Sequence, residues 1–93
     1  MTIMVKVDLT IRDDMVNDFR EMIHEDRKSA LESLDGNVLS FEIINEEHTP
    51  NQFTLYQEST SKEALLKHMK EHFYRWKHFM NTGAVISHKH TYL

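Results

Sequence analysis

Two hydrophobic periodicities alternate along the chain, and their order limits the folds that it can adopt. Apolar and polar residues alternate over 3–11, IMVKVDLTI, as expected of a strand with one buried face. A helical pattern begins at Asp13, because acidic residues suit a helix N-terminus. Asp35-Gly36 is expected to end this helix, since glycine tolerates the left-handed conformation that closes many helices. The apolar stripe of the helix comprises Met15, Phe19, Met22, Ile23, Ala30 and Leu34.

Two β-prone segments, NVLSFEII and QFTLYQE, follow the first helix and are joined by the polar NEEHTPN. In the second segment, Phe53 and Leu55 share a face and Tyr56 points the other way. The first segment is predicted to place three side chains on one face: Leu39, Phe41 and Ile43. A last strand is predicted in AVISHKHTYL. The side chains that alternate onto one of its faces, and that could line either a dimer interface or a pocket, are His88, His90 and Tyr92.

The second helix lies between these strands, and Thr60 with Glu63 resembles a capping box at its start. The resulting order, β-α-β-β-α-β, is the ferredoxin-like split unit. It predicts an α+β fold in which both helices cover one face of an antiparallel sheet. The 93 residues make a single domain, 1–93. A chain this short gains from pairing with a second copy, so a homodimer is expected.

Composition argues against several classes of protein. The net charge is −4 and no cluster of lysine and arginine occurs, which argues against nucleic-acid binding. No apolar run approaches the roughly 18 residues that a membrane span needs. The N-terminus lacks a signal-peptide pattern, and the absence of cysteine removes disulfides, thiolate nucleophiles and zinc–thiolate sites. A cytoplasmic protein is expected.

The second helix carries histidines within or beside its apolar stripe. With Leu65 at the centre, four side chains lie within about 40° of it: Met69, His72, Trp76 and Phe79. His68 lies on the flank of this stripe. For His72, two interpretations remain open: a core histidine hydrogen-bonded to a carbonyl or carboxylate, or a pocket base that burial keeps neutral. Asp26, in the first stripe, is either a solvated helix end or a carboxylate at the pocket rim that orients a histidine or a substrate hydroxyl.

A metal site is also considered, because HMKEH matches the H-x-x-E-H pattern of some zinc proteases. Histidines four apart on a helix can share a metal ion. Zinc, however, requires a third ligand and a supporting second shell, and a protease requires a cleft for a peptide. With no cysteine in a chain this small, no metal site is predicted.

The segment FTLYQESTSKEALLKHMKEHFYRWKHFM resembles the signature of the antibiotic biosynthesis monooxygenase superfamily. In that superfamily, a strand ending in an aromatic residue and an acid is followed by EAL, a histidine and then HF. The segments MVKVDLTIRDDMVNDF and LDGNVLSFEI are also similar to the usual layout, so the resemblance covers nearly the whole chain. It implies a ferredoxin-like fold that dimerises, sheet against sheet, into an α+β barrel, with a pocket between the helices and sheet of each subunit.

The resemblance also implies site residues. His68 matches the histidine after EAL, His72 with Phe73 matches the HF pair, and Tyr56 matches the aromatic residue that ends the third strand. Gln57 stands where an acid is usual. The superfamily includes monooxygenases that oxidise quinols or anthrones without flavin or metal, haem-degrading enzymes, and an isomerase of phosphorylated autoinducer-2. The asparagine–tryptophan–histidine trio of the haem-degrading branch is not matched.

The expected function is therefore cofactor-independent oxidation of a small aromatic or quinol substrate by molecular oxygen. His72 is the expected base, oriented by His68 or Asp26. Tyr56 is expected to donate to a substrate oxygen. The aromatic wall of the pocket is expected to comprise Phe41, Phe53, Trp76 and Phe79.

Two alternatives remain. One is an isomerase of a small phosphorylated dicarbonyl, with Arg27, Lys28 or Arg75 as the cationic contact for phosphate. The other is a non-catalytic dimer that binds a small ligand, in which a collapsed interior would leave His72 bonded to the backbone.

Overall fold

The computed structural model describes residues 2–33 and 35–93. The predicted order of strands and helices and the ferredoxin-like α+β class are confirmed. The elements are β1 (Ile3–Ile11), a 3₁₀ turn (Asp13–Met15), α1 (Val16–Leu31), β2 (Val38–Ile44), β3 (Gln52–Ser59), α2 (Lys62–Asn81) and β4 (Val85–Tyr92).

Within the described residues, four strands form one sheet in the order β2-β3-β1-β4, and every neighbouring pair is antiparallel. One face of this sheet packs against both helices and is called the inner face here. The strict alternation of β1 produces that face, because successive side chains of a strand point to opposite sides. Its buried side chains are Val5, Val7, Leu9 and Ile11.

Aromatic side chains fix α1 over the sheet and against α2. Phe19 of α1 is fully buried, and its ring centroid lies 4.9 Å from that of Phe53 on β3. It also lies 5.4 Å from Trp76 and 5.5 Å from Phe79 on α2, each pair edge to face. This geometry is the favourable one for aromatic pairs. Leu34, assigned to the same stripe as Phe19 from sequence, lies outside the described residues.

A β-bulge in β2 overturns one predicted face. Val38 pairs with Ser59 and Ser40 pairs with Glu58, so β2 uses one residue more than β3 over this interval. Leu39 is the extra residue and is 47% exposed, whereas simple alternation placed it with Phe41 on the inner face. The bulge changes the direction of the side chains that precede it.

The helix ends also differ from the predicted ones. α1 ends at Leu31, before Asp35-Gly36, although Gly36 does adopt a positive φ of 64°. At the start of α2, the Oγ of Ser61 accepts a hydrogen bond from the N–H of Ala64 at 3.1 Å, so Ser61 is the cap. The predicted cap, Thr60, instead donates to the side-chain oxygen of Asn37 at 3.0 Å.

Neither helix of the described chain, nor the 3₁₀ turn, is long and apolar enough to traverse a bilayer.

Candidate functional site

A cavity of about 270 Å³ lies between α2 and the inner face of the sheet. This volume is near the lower end of the range for small-molecule sites, about 300–1,000 Å³. Val7, Leu9 and Leu55 form its floor, and the side of α2 supplies Met69, Phe73, Trp76 and Met80. The polar side chains on its wall are Asp26, Gln57, His68, His72, His88 and His90. The cavity surface is therefore mostly apolar, and six polar side chains border it.

Asp26 and His72 form a hydrogen-bonded pair on this wall. The Nδ1 of His72 lies 2.8 Å from Oδ1 of Asp26, which joins α1 to α2 across 46 residues of sequence. Asp26 is buried, and His72 keeps part of its ring accessible. Both interpretations of His72 thus hold in part: its ring is bonded to a carboxylate, and it also lines a cavity. The solvated helix end considered for Asp26 is wrong.

Two further groups surround the Asp26 carboxylate. The indole Nε1 of Trp76 donates to its second oxygen, Oδ2, at 3.5 Å. The Nε of Arg75 lies 4.0 Å from Oδ1, which is the range of an ion pair. A buried carboxylate needs such partners, because an isolated buried charge is strongly destabilising. These contacts, with the His72 bond, fix the Asp26 carboxylate at the cavity wall.

His68 lies one helical turn before His72, and the two ring centroids are 4.2 Å apart. His68 is buried, and its burial lowers its pKa below the ordinary 6.5. The neighbouring His72 ring lowers the pKa further, and the Asp26 carboxylate opposes both effects. Burial is the largest of these causes, and it favours the neutral form of the His68 ring. The three side chains named as catalytic from sequence, His72, His68 and Asp26, are thus brought together.

Two histidines of β4 face the same cavity, which is one of the two alternatives, pocket or dimer interface, that the sequence left open for them. His88 pairs with Leu9 and His90 pairs with Val7, which places both rings on the inner face, 5.7 Å apart between centroids. Desolvation and the nearby His88 lower the pKa of His90 below 6.5, although much of the ring is exposed. The alternation in HKH signalled their shared face. Only the strand register shows that this face is the cavity wall.

Gln57 is a further polar group of the site, which the sequence marked only as a departure from the superfamily pattern. It lies on the inner face of β3, is almost fully buried and lines the cavity. Its Nε2 finds no hydrogen-bond partner among the described residues. A buried donor without a partner costs about 1–3 kcal/mol, and such groups in native proteins call for an explanation. The Oγ of Ser59, also on β3, likewise has no hydrogen-bond partner among the described residues.

The structure separates the aromatic residues that were predicted to bind substrate. Phe41 and Trp76 line the cavity. Phe53 and Phe79 are buried in the core around Phe19 and are not among the lining residues. Tyr56 pairs with Lys6 and lies on the outer face of the sheet, because its neighbours on β3 occupy the inner face. The polar group of β3 on the cavity wall is therefore Gln57.

The basic residues proposed for a phosphate contact do not reach the cavity. Arg27 donates to the backbone oxygen of Phe41 at 2.7 Å, and Arg75 lies beside Asp26. Arg27, Lys28 and Arg75 are not among the lining residues. The cavity is also too large for the collapsed interior of a non-catalytic dimer, and His72 bonds a side chain and not the backbone. Neither alternative function gains support.

The sequence argument against a metal ion rested on the lack of an identified third ligand near His68 and His72. In the structure, Asp26 provides one. One donor atom each from Asp26, His68 and His72 all lie within 4.8 Å of one another. Two imidazoles and one carboxylate therefore lie next to one another on the cavity wall.

Several solved structures share this fold. A protein from Nitrosomonas europaea, provisionally named an antibiotic biosynthesis monooxygenase, has a TM-score of 0.85 over 99% of this chain and 88% of its own, at 13% identity. A provisionally named one from Bacteroides thetaiotaomicron has a TM-score of 0.83 over 96% and 84%, at 17% identity. A third protein, named antibiotic biosynthesis monooxygenase, has a TM-score of 0.82 over 98% and 95%, at 16% identity.

No protein-family model matches the sequence, and no curated protein matches it significantly. The three structures confirm the fold implied by the resemblance. At these identities the likeness extends to the fold alone.

Proposed function

We propose that this chain is a member of the antibiotic biosynthesis monooxygenases that oxidises a small aromatic or quinol substrate with molecular oxygen and without a cofactor. The observation that carries this proposal is the pair His72–Asp26, joined at 2.8 Å on the wall of an apolar cavity of about 270 Å³. A positioned base beside a largely apolar pocket is what such a reaction asks of a protein.

The carboxylate determines which nitrogen of His72 can act as a base. An ionised carboxylate only accepts hydrogen bonds, so the Nδ1 of His72 carries the proton directed at Asp26. In the neutral ring, Nε2 is then the unprotonated nitrogen and can accept a proton from a substrate hydroxyl. Asp26 stabilises the imidazolium that forms, as the aspartate does in a Ser-His-Asp triad. Asp26 is thus the positioning residue and His72 the catalytic base.

The substrate supplies the electrons for this chemistry. Transfer of a hydroxyl proton to His72 leaves a phenolate, which is electron-rich enough to give one electron to oxygen. The resulting radicals combine through a C–O bond, and the O–O bond then breaks with protons returned from His72 and the ring carbon. For a quinol the balance is quinol plus O₂ giving hydroxyquinone plus water. One oxygen atom enters the product and the other leaves as water.

The remaining wall suits an aromatic ligand. Phe41, Trp76 and Met69 offer apolar contact, and the exclusion of water strengthens the electrostatic interactions of the pair. The unpartnered amide of Gln57 is proposed to hydrogen-bond the second oxygen of a quinol, which would satisfy that group when substrate is bound. A substrate with two oxygens across one ring fits this arrangement.

The active form is proposed to be a homodimer. Large apolar side chains on β4 and directly after it are exposed, namely Ile86, Tyr92 and Leu93. Covering them by a second copy would remove apolar surface from water, at about 25 cal/mol per Å² buried. Analytical ultracentrifugation tests this: a 22 kDa species supports the dimer, twice the 11.1 kDa of one chain, and a monomer throughout the micromolar range contradicts it.

The test of function is oxygen consumption by chelator-treated protein with a panel of quinols and anthrones, under aerobic and anaerobic conditions. Uptake that depends on protein is expected. His72→Ala should reduce kcat by about 10²–10⁴-fold. Asp26→Asn, which keeps the shape but loses the charge, should reduce kcat more than it changes KM.

His78→Ala is the matched control, because His78 lies on the same helix and is exposed. It should retain full activity. Unchanged turnover in His72→Ala, with the fold verified by circular dichroism, would remove the proposed base. No uptake with any substrate, together with isomerisation of a phosphorylated dione, would select the isomerase instead.

A further inference from the structure

We infer that Asp26, His68 and His72 form a binding site for one divalent transition-metal ion. This site uses the same Asp26 and His72 as the cofactor-free oxidation proposed above, but metal binding does not depend on that proposal. It rests on the position of three ligand side chains, on their chemistry, and on the open space beside them.

The two histidines are placed by the helix itself. Residues four apart lie on the same face of a helix, one turn above the other, and the rings of His68 and His72 are accordingly neighbours at 4.2 Å. Asp26 reaches the same point from α1. One donor atom from each residue lies within 4.8 Å of the other two, so small side-chain rotations bring all three onto one ion.

One edge of the site already has the spacing that a metal requires. The Nδ1 of His72 and the Oδ1 of Asp26 are 2.8 Å apart. Two ligand atoms that bind one zinc ion at about 2.0–2.2 Å, with angles of about 90–110°, are themselves about 2.8–3.6 Å apart. A metal ion could therefore replace the proton between these atoms with a displacement of a few tenths of an ångström.

The ligand types select the metal. Imidazole suits zinc, copper, iron and nickel, whereas calcium and magnesium prefer a shell of oxygen atoms. Arg75, 4.0 Å from Asp26, offsets part of the carboxylate charge and further disfavours ions that bind through charge alone. Two histidines and one carboxylate are also the ligand set of several metal sites that keep open positions. All three residues line the cavity, which leaves room for water or a ligand on the ion.

Metal binding and base catalysis would exclude one another. With a metal ion on Nδ1 of His72, the proton of the neutral ring resides on Nε2, which then donates and no longer accepts. Zinc would accordingly inhibit any reaction in which His72 is the base. The same pocket would therefore exist in two forms, depending on the free metal concentration. In the metal-free form, Nδ1 of His72 carries the proton and Nε2 can act as the base. In the metal-bound form, that base is lost.

The test uses the metal alone. Chelator-treated protein is titrated with zinc by calorimetry and with cobalt by visible absorption, and saturable binding of one ion per chain is expected. His68→Ala, His72→Ala and Asp26→Asn should each weaken binding by more than about tenfold, since even outer-shell changes typically cost 10–100-fold. The matched control is His78→Ala, an exposed histidine of the same helix, which should bind as the unaltered chain does.

A measurement on the unaltered protein tests the proposal even if some of the variants fail to fold. Two-dimensional ¹H–¹⁵N spectra of the imidazoles, recorded with and without zinc, should show the nitrogens of His68 and His72 shifting together at one equivalent. Absence of saturable binding would overturn the proposal. Binding that is lost in His88→Ala or His90→Ala, but retained in Asp26→Asn, would overturn it as well. Oxygen uptake by the metal-free protein is a separate readout, so failure here leaves the oxidation proposal untouched.

Discussion

The energetic coupling between Asp26 and His72 can be measured by a double-mutant cycle. The change is Asp26→Ala, His72→Ala and the two together, each compared with the unaltered chain. The Asp26 and His72 side chains are only 3% and 15% exposed, and their bond joins a carboxylate to an imidazole. Hydrogen bonds to charged groups contribute about 1.5–3 kcal/mol, whereas exposed ion pairs contribute about 0.2–1 kcal/mol. We expect the coupling free energy between Asp26 and His72 to lie in the range for hydrogen bonds to charged groups, about 1.5–3 kcal/mol.

The cycle is needed because single substitutions do not isolate this bond. Burying the Asp26 carboxylate is itself unfavourable, so Asp26→Ala relieves a desolvation cost while it breaks the bond. The cycle subtracts such contributions when each single substitution acts independently. The assay is urea denaturation followed by circular dichroism, at one protein concentration, because association would add to the apparent free energy of unfolding.

A second cycle on an exposed pair provides the matched comparison. Lys67 and Glu71 lie four apart on α2, with 3.8 Å between their charged atoms and exposures of 60% and 53%. Their coupling should be about 0.3–0.5 kcal/mol. If the coupling of Asp26 with His72 is no larger than that of this exposed pair, the buried bond does not hold His72, and the reasoning that assigns Asp26 to position the base fails.

Three further measurements test other parts of the structure. Gln57→Leu removes an amide donor that lacks a partner, so chemical denaturation should show the free energy of unfolding rising by about 1 kcal/mol; a decrease would mean that the amide is satisfied in solution. His68 and His90 have lowered pKa values, so below 6.5 the unfolded chain binds more protons than the folded one. Stability should therefore fall as the pH drops from 7.5 through 6.5 toward their native pKa values, and His68→Gln should flatten this slope in urea titrations. Ser61→Ala removes the cap of α2 and should lower the unfolding free energy by about 1 kcal/mol; an unchanged denaturation midpoint would refute that assignment.

Periodicity was sufficient to predict most of the architecture. The alternation of β1 and the apolar stripes of both helices depend on local geometry, which sequence spacing reports directly. The bulge at Leu39 was not predictable, because it arises from the pairing of β2 with β3. The cap of α2 was misplaced by one residue for a related reason, because Thr60 and Ser61 both carry hydroxyls that could cap the helix. In the fold, the Thr60 hydroxyl donates a hydrogen bond to Asn37, a residue distant in sequence.

The candidate site was predictable only in part. Helical spacing brought His72 inward and singled out Asp26 as an unusual member of an apolar stripe. It could not show which aromatic residues fill the core and which border a cavity, because that depends on how α2 lies over the sheet. Phe53 and Phe79 were therefore grouped with Trp76. His88 and His90 shared the correct face, but their position opposite α2 follows from the register with β1.

The two sides of the cavity differ in how freely they can vary during evolution. Val7, Leu9 and Leu55 on the floor are also members of the buried core, so altering their volume disturbs the whole domain. Phe73, by contrast, is 53% exposed although it borders the same space, as does the exposed Met80. Selection for a new ligand can therefore act on one helical surface at little expense to folding, and divergence among proteins of this architecture should concentrate there.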